Sequence, residues 1–108
     1  MNNLNSFTQR KEKFMNLDKS KKRIAKKIKM GFQGYPKISI TYCGNTAKVA
    51  DKVIVEFVPE EGAETQTEKF TSKTDAREDE MIQSALVKMI ERSEAKTVVQ
   101  ANSVLIIP

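Results

Sequence analysis

The chain has 108 residues, a net charge of +5, a single cysteine and no histidine. That length suits one domain with one core. The missing histidines remove the usual general base, the usual pH switch and the commonest metal ligand, and a lone Cys43 excludes an internal disulfide and a cysteine-based zinc site.

The longest apolar run, Val104 to Ile107, is far short of the roughly 20 apolar residues that span a bilayer. The first 30 residues are polar and charged, with no apolar stretch like a signal-peptide core. The expectation is a cytoplasmic protein with no membrane span. A domain this small gains stability from burying extra surface against a second copy, so a homo-oligomer is an open partner reading.

The charge is unevenly spread. Met1 to Pro36 holds ten Lys or Arg and two acids, a net +8, while Lys37 to Pro108 holds nine and twelve, a net −3. The chain therefore reads as a basic N-terminal arm, residues 1–34, attached to a mildly acidic α+β domain, residues 35–108.

Within the arm, Asn-rich Met1 to Thr8 carries little that can pack and is expected to be disordered. Met15 is a candidate alternative start. A helix is expected over about 16–30. Leu17, Ile24, Ile28 and Phe32 recur near one face with Ala25 beside them, Asn16 or Asp18 is placed to cap the start, and Gly31 to end it. Lys19, Lys21, Lys22, Arg23, Lys26, Lys27 and Lys29 put seven positive charges into eleven residues of this helix. Gly31 to Pro36 is a linker, because two glycines and a proline forbid a continuing helix.

The domain opens on Ile38, Ile40 and Tyr42 alternating with polar residues, the period of a half-buried strand. Gly44-Asn45-Thr46 is a turn, and Val53 to Val58 a second strand, apolar on both faces, which suits a central place. The two should pair as an antiparallel hairpin. Thr65 to Thr71 is a weaker, polar strand expected at a sheet edge. A long helix is expected over about Asp75 to Ser93, with Asp75-x-x-Glu78 as a capping box and Ile82, Ala85, Leu86, Met89 and Ile90 as its apolar face. Thr97 to Ala101 and Val104 to Ile107 are two short strands or one bent one. The predicted fold class is α+β: an antiparallel sheet of about four to five strands with one long helix packed on one face, plus a basic N-terminal helix.

Tyr35-Pro36-Lys37, the Tyr42-x-Gly44 turn, Lys52-Val53-x-Val55, Glu61-Gly62-Ala63, Asp75-x-Arg77-x-Asp79 and Thr97-Val98-Val99 together resemble a small family of uncharacterised bacterial α+β proteins, over roughly residues 35–100. The resemblance implies a body plan and no activity. Longer members continue into a cysteine-containing tail, and this chain stops at Pro108.

Candidate chemistry is sparse. Cys43 lacks a histidine base, and a thiol at a strand end is more often a small packed side chain than a nucleophile. Asp75, Glu78, Asp79 and Glu80 have the oxygen chemistry of a magnesium site, but they fall where a helix N-terminus attracts acids. Arg77 reads as a surface ion-pair partner. No phosphate-binding glycine loop, dinucleotide fingerprint or nucleophile elbow occurs. No enzyme, cofactor or small-molecule ligand is therefore inferred. The seven cations of the arm are the candidate binding residues. They serve either an interaction or dimerisation domain with a basic docking arm, or a nucleic-acid-binding protein without sequence preference.

Overall fold

The computed structural model describes residues 16–107; the readings of Met1 to Thr8 and of Met15 lie outside them. The elements in order are helix α1 (Leu17–Lys29), strands β1 (Lys37–Gly44), β2 (Lys52–Val58) and β3 (Gln66–Thr71), a 3-10 turn (Ala76–Glu78), helix α2 (Glu80–Arg92), and strands β4 (Thr97–Gln100) and β5 (Leu105–Ile106). The fold is α+β, with five strands in one sheet ordered β3-β2-β1-β4 and β5 also on β1.

β1 and β2 form the antiparallel hairpin that their alternation predicts, with Ile40 opposite Val55 and Tyr42 opposite Val53. β3 joins the far side of β2, also antiparallel, and its largely exposed side chains suit the sheet edge it occupies. This leaves β2 central.

The sheet is not antiparallel throughout, which corrects the expected fold class. β4 and β5 both run parallel to β1, with Ile38 opposite Val98 and Cys43 opposite Leu105. The connectivity requires it: β3 points the same way as β1, α2 brings the chain back, and β4 starts again at β1's own beginning. β4 and β5 follow one edge of β1, interrupted near Asn102-Ser103, and the amides of Ala101 and Ile107 donate to the carbonyls of Ile40 and Gly44 at either side of the break.

The single long helix is a second correction. Asp79 is extended (φ −91°, ψ 112°) and breaks the segment into a 3-10 turn and a 13-residue α2, no longer than α1. The reason is competition between two aspartates. Asp75 accepts from the amide of Arg77, and Asp79 accepts from the amide of Ile82, so each starts its own helical segment. Ser72 holds Asp79 in place, its Oγ donating to Asp79 Oδ2 at 2.8 Å. The side chain of Glu78, expected to close a capping box on Asp75, instead meets Lys21.

One face of the sheet carries the core. Ile38, Ile40, Val53, Val55 and Val98 pack beneath Ile82, Leu86, Val87 and Ile90 of α2, and Ile24 of α1 joins the same cluster. α1 packs against α2 and β4. Its start is capped by Asn16, whose Oδ1 accepts from the amide of Lys19, and its end is set by Gly31 at φ +73°, whose amide donates to Ile28 O. That left-handed residue is cheap only for glycine.

Candidate nucleic-acid interface

The seven predicted cations divide by helix geometry. At 100° per residue, Lys19, Lys22, Lys26 and Lys29 lie within about 80° of one another, centred opposite Ile24. Ile24 is 3 % exposed, so these four lysines form the solvent face, and all four are exposed. Lys21, Arg23 and Lys27 project towards the flanks, where the body supplies partners. Lys21 Nζ meets Glu78 Oε2 at 2.8 Å, Arg23 Nη1 meets Glu91 Oε2 at 2.9 Å, and Lys27 Nζ donates to the carbonyl of Ala95 at 3.1 Å. Among the described residues, none of the four outer lysines forms an ion pair.

The outer stripe extends about 15 Å along the helix from Lys19 to Lys29 at 1.5 Å per residue. Its lysines are neighbours at spacings of three and four, and like charges so placed disfavour a helix by a few tenths of a kcal/mol per pair. Folding gains nothing from the arrangement. Lys21 and Arg23 tie α1 down through exposed ion pairs, each contributing roughly 0–1 kcal/mol, Lys27 adds a half-buried hydrogen bond to a carbonyl, and Ile24 supplies the apolar anchor.

Beside α1, a cleft of about 460 Å³ is lined by Lys21, Lys22, Ile24, Tyr42, Arg77 and Gln100. Its floor is fixed from below. Gln83 Nε2 donates to Tyr42 Oη at 2.7 Å and to the carbonyl of Ala76 at 2.9 Å. Burial raises the Tyr42 phenol above its ordinary value, so the ring keeps its proton at neutral pH. Arg77 donates through Nε and Nη2 to Asp75, and through Nη2 to the carbonyl of Lys48. Those hydrogen bonds, with the amides of Arg77 and Ala50, hold the Asp75 carboxyl well below the usual carboxylate range. Arg77, expected as an ion-pair partner with its acid left open, pairs with Asp75 at 2.7 Å, and its bond to the Lys48 carbonyl ties the β1–β2 loop to the 3-10 turn.

The sign of the resulting pH dependence follows from the lowered value. Asp75 contributes stability above the ordinary aspartate pKa of about 3.9, and loses it as pH falls through that range towards the folded-state value. Thermal unfolding followed from neutral to acid pH should show a smaller acid loss in Asp75→Asn than in the wild type, with Asp75→Asn already less stable at neutral pH. An unchanged acid profile would remove Asp75 as a source.

Cys43 is fully buried, and burial raises its thiol pKa, opposed only in part by Lys52 and Lys69. A buried, protonated thiol is a poor nucleophile. Native protein at mildly alkaline pH should resist alkylation by iodoacetamide and label readily once denatured. Rapid native labelling, read by mass spectrometry, would contradict this placement.

Helical spacing groups Phe32 with the apolar face of the helix. It is instead 64 % exposed, because the left-handed Gly31 turns the chain away before the next helical turn is completed. The periodicity alone does not reveal this; the adjacent glycine is the signal. Neither a family model, nor a curated protein, nor a solved structure matches the chain.

Proposed function

We propose that this is a non-catalytic nucleic-acid-binding protein that holds a phosphate backbone along the outer face of α1 without reading base sequence. One observation carries the reading: the cations facing the body are partnered, whereas Lys19, Lys22, Lys26 and Lys29 form one solvent-facing row without ion pairs among the described residues, at some expense to the helix. Phosphates reward such a row by releasing condensed counterions. The test is fluorescence anisotropy of labelled oligonucleotides at increasing salt. Four phosphate contacts predict a slope of log affinity against log salt of about −3 to −4. Salt-insensitive binding, or none at low salt, would retire the reading.

A second reading, self-association, is favoured by the sheet face that no helix covers. Val99 and Leu105 lie on it at 38 % and 50 % exposure, beside half-buried Ile54 and Val58. Sedimentation equilibrium separates the two: a dimer disrupted by Val99→Lys with Leu105→Lys supports association through this face, and a monomer at all concentrations discards it.

A further inference from the structure

We infer that the nucleic acid is single-stranded, and that Phe32 stacks on one of its unpaired bases at the end of the lysine row. The inference rests on the proposed phosphate-binding role of α1 and adds the class of strand.

Phe32 is out of place as a structural residue. Burying phenylalanine surface stabilises a fold, and half-buried Phe57 and Phe70 gain part of this by packing on the core, whereas Phe32 stands in solvent at 64 % exposure. The loop beneath it is nonetheless anchored. The Gln33 amide donates to Thr97 Oγ1 at 2.8 Å, Gln33 Nε2 donates to the carbonyl of Met30 at 2.8 Å, and Thr97 Oγ1 donates to the carbonyl of Gly34 at 2.6 Å. Thr97 is fully buried. The residues on both sides of Phe32 are thus held, and a ring on a fixed loop loses little freedom when a ligand covers it.

The ring is also presented. Phe32 and Tyr35 meet edge to face, with centroids 5.6 Å apart and planes at 77°. In that arrangement Tyr35 blocks at most one face of Phe32, whichever ring supplies the edge, so at least one face is clear of Tyr35. Phe32 lies three residues beyond Lys29, hence within about 11 Å of it between Cα atoms. On this inference, a strand whose phosphates follow Lys19 to Lys29 continues past the end of α1 and lays a base on the ring. In a duplex the bases are stacked on each other and offer no such face. A cationic track ending in an exposed aromatic is the combination that single strands use.

The experiment uses the full chain. It contains no tryptophan, so Phe32→Trp installs a single reporter at an exposed site. A thymidine oligonucleotide of about 15 residues and its duplex with the complementary strand, a length near one site, are titrated into Phe32→Trp, Phe32→Ala and the wild type at low salt. The single strand should quench the indole and the duplex should not. Phe32→Ala should weaken single-strand binding about 5- to 150-fold, leave duplex binding unchanged, and keep the wild-type thermal midpoint. Binding of both forms with no effect of Phe32→Ala and no quenching would overturn the stacking role while leaving the lysine row intact. Failure of both forms to bind would overturn the row and the stacking together. Blue-shifted emission with anionic phosphatidylserine vesicles, without quenching by the oligonucleotide, would assign Phe32 to a lipid surface and reject the inference.

Discussion

Replacing Lys19, Lys22, Lys26 and Lys29 together by glutamine is expected to lower low-salt affinity for oligonucleotides by at least about a hundredfold and to flatten its salt dependence towards zero. The size follows from counterion release. Four contacts make wild-type affinity fall roughly 50- to 150-fold over a fourfold rise in salt, and the fourfold variant lacks the cations to which those contacts are assigned. Glutamine matches lysine closely in helix propensity, and removing like charges at spacings of three and four relieves repulsion. The fourfold variant should therefore melt at or slightly above the wild-type temperature. This combination distinguishes a binding surface from a structural one. A second variant, Lys21→Gln with Arg23→Gln, makes the opposite test. It removes the pairs with Glu78 and Glu91, so it should cost at most about 1 kcal/mol per pair and leave the salt slope nearly unchanged. Equal loss of binding in both variants would show that total charge, and not the outer row, governs affinity.

Gly44→Ala is expected to be the most destabilising single substitution proposed for this protein, by about 3 kcal/mol, the upper end for overpacking. A methyl group there would overlap the carbonyl oxygen of Val49 and sit 3.1 Å from its carbonyl carbon and 3.3 Å from Ala50 Cα. These are backbone atoms, so no rotamer change relieves the contact. The loop they belong to is tied down on its other side. The Ala50 amide donates to Asp75 Oδ2, the Ala76 amide donates to Ala50 O, and the Ser72 amide donates to Asp51 O. Pushing Val49 and Ala50 outward strains those bonds, and the carbonyl of Gly44 itself receives the Ile107 amide. At roughly 4–8 °C per kcal/mol for a domain of this size, calorimetry should record a midpoint about 12–24 °C lower. The acid dependence assigned to Asp75 should weaken at the same time, because its contact with Ala50 is lost. A near-normal midpoint would mean that the loop moves freely and that its hydrogen bonds contribute little.

Much of the local structure could be read from the chain. The alternation of Ile38, Ile40 and Tyr42 gave β1 its buried face, and Val53, Val55 and Phe57 identified the facing strand. The polar residues of Gln66–Thr71 marked the edge strand. Asn16 and Gly31 marked the limits of α1, since an amide side chain that caps and a glycine that accepts positive φ act on their immediate neighbours. The apolar set of α2 was also legible, through Ile82, Leu86 and Ile90. Its start was not: Asp75 and Asp79 are equally good caps, and Ser72 Oγ on Asp79 decided that both are used.

The sequence by itself determined the hairpin, the edge strand, the limits of α1 and the concentration of positive charge in Lys19 to Lys29, because each depends on residues within a few positions of one another. Tertiary structure alone decided the direction of β4 and β5, since an alternating pattern reads the same in a parallel and an antiparallel strand and only the return of the chain through α2 distinguishes them. It also decided which cations are spent. Lys21 and Arg23 find their carboxylates 57 and 68 positions away, and no local pattern reports a partner at that distance. The row left for a ligand is therefore defined by periodicity, which sets the face, and by packing, which buries Ile24 and turns the opposite face to solvent.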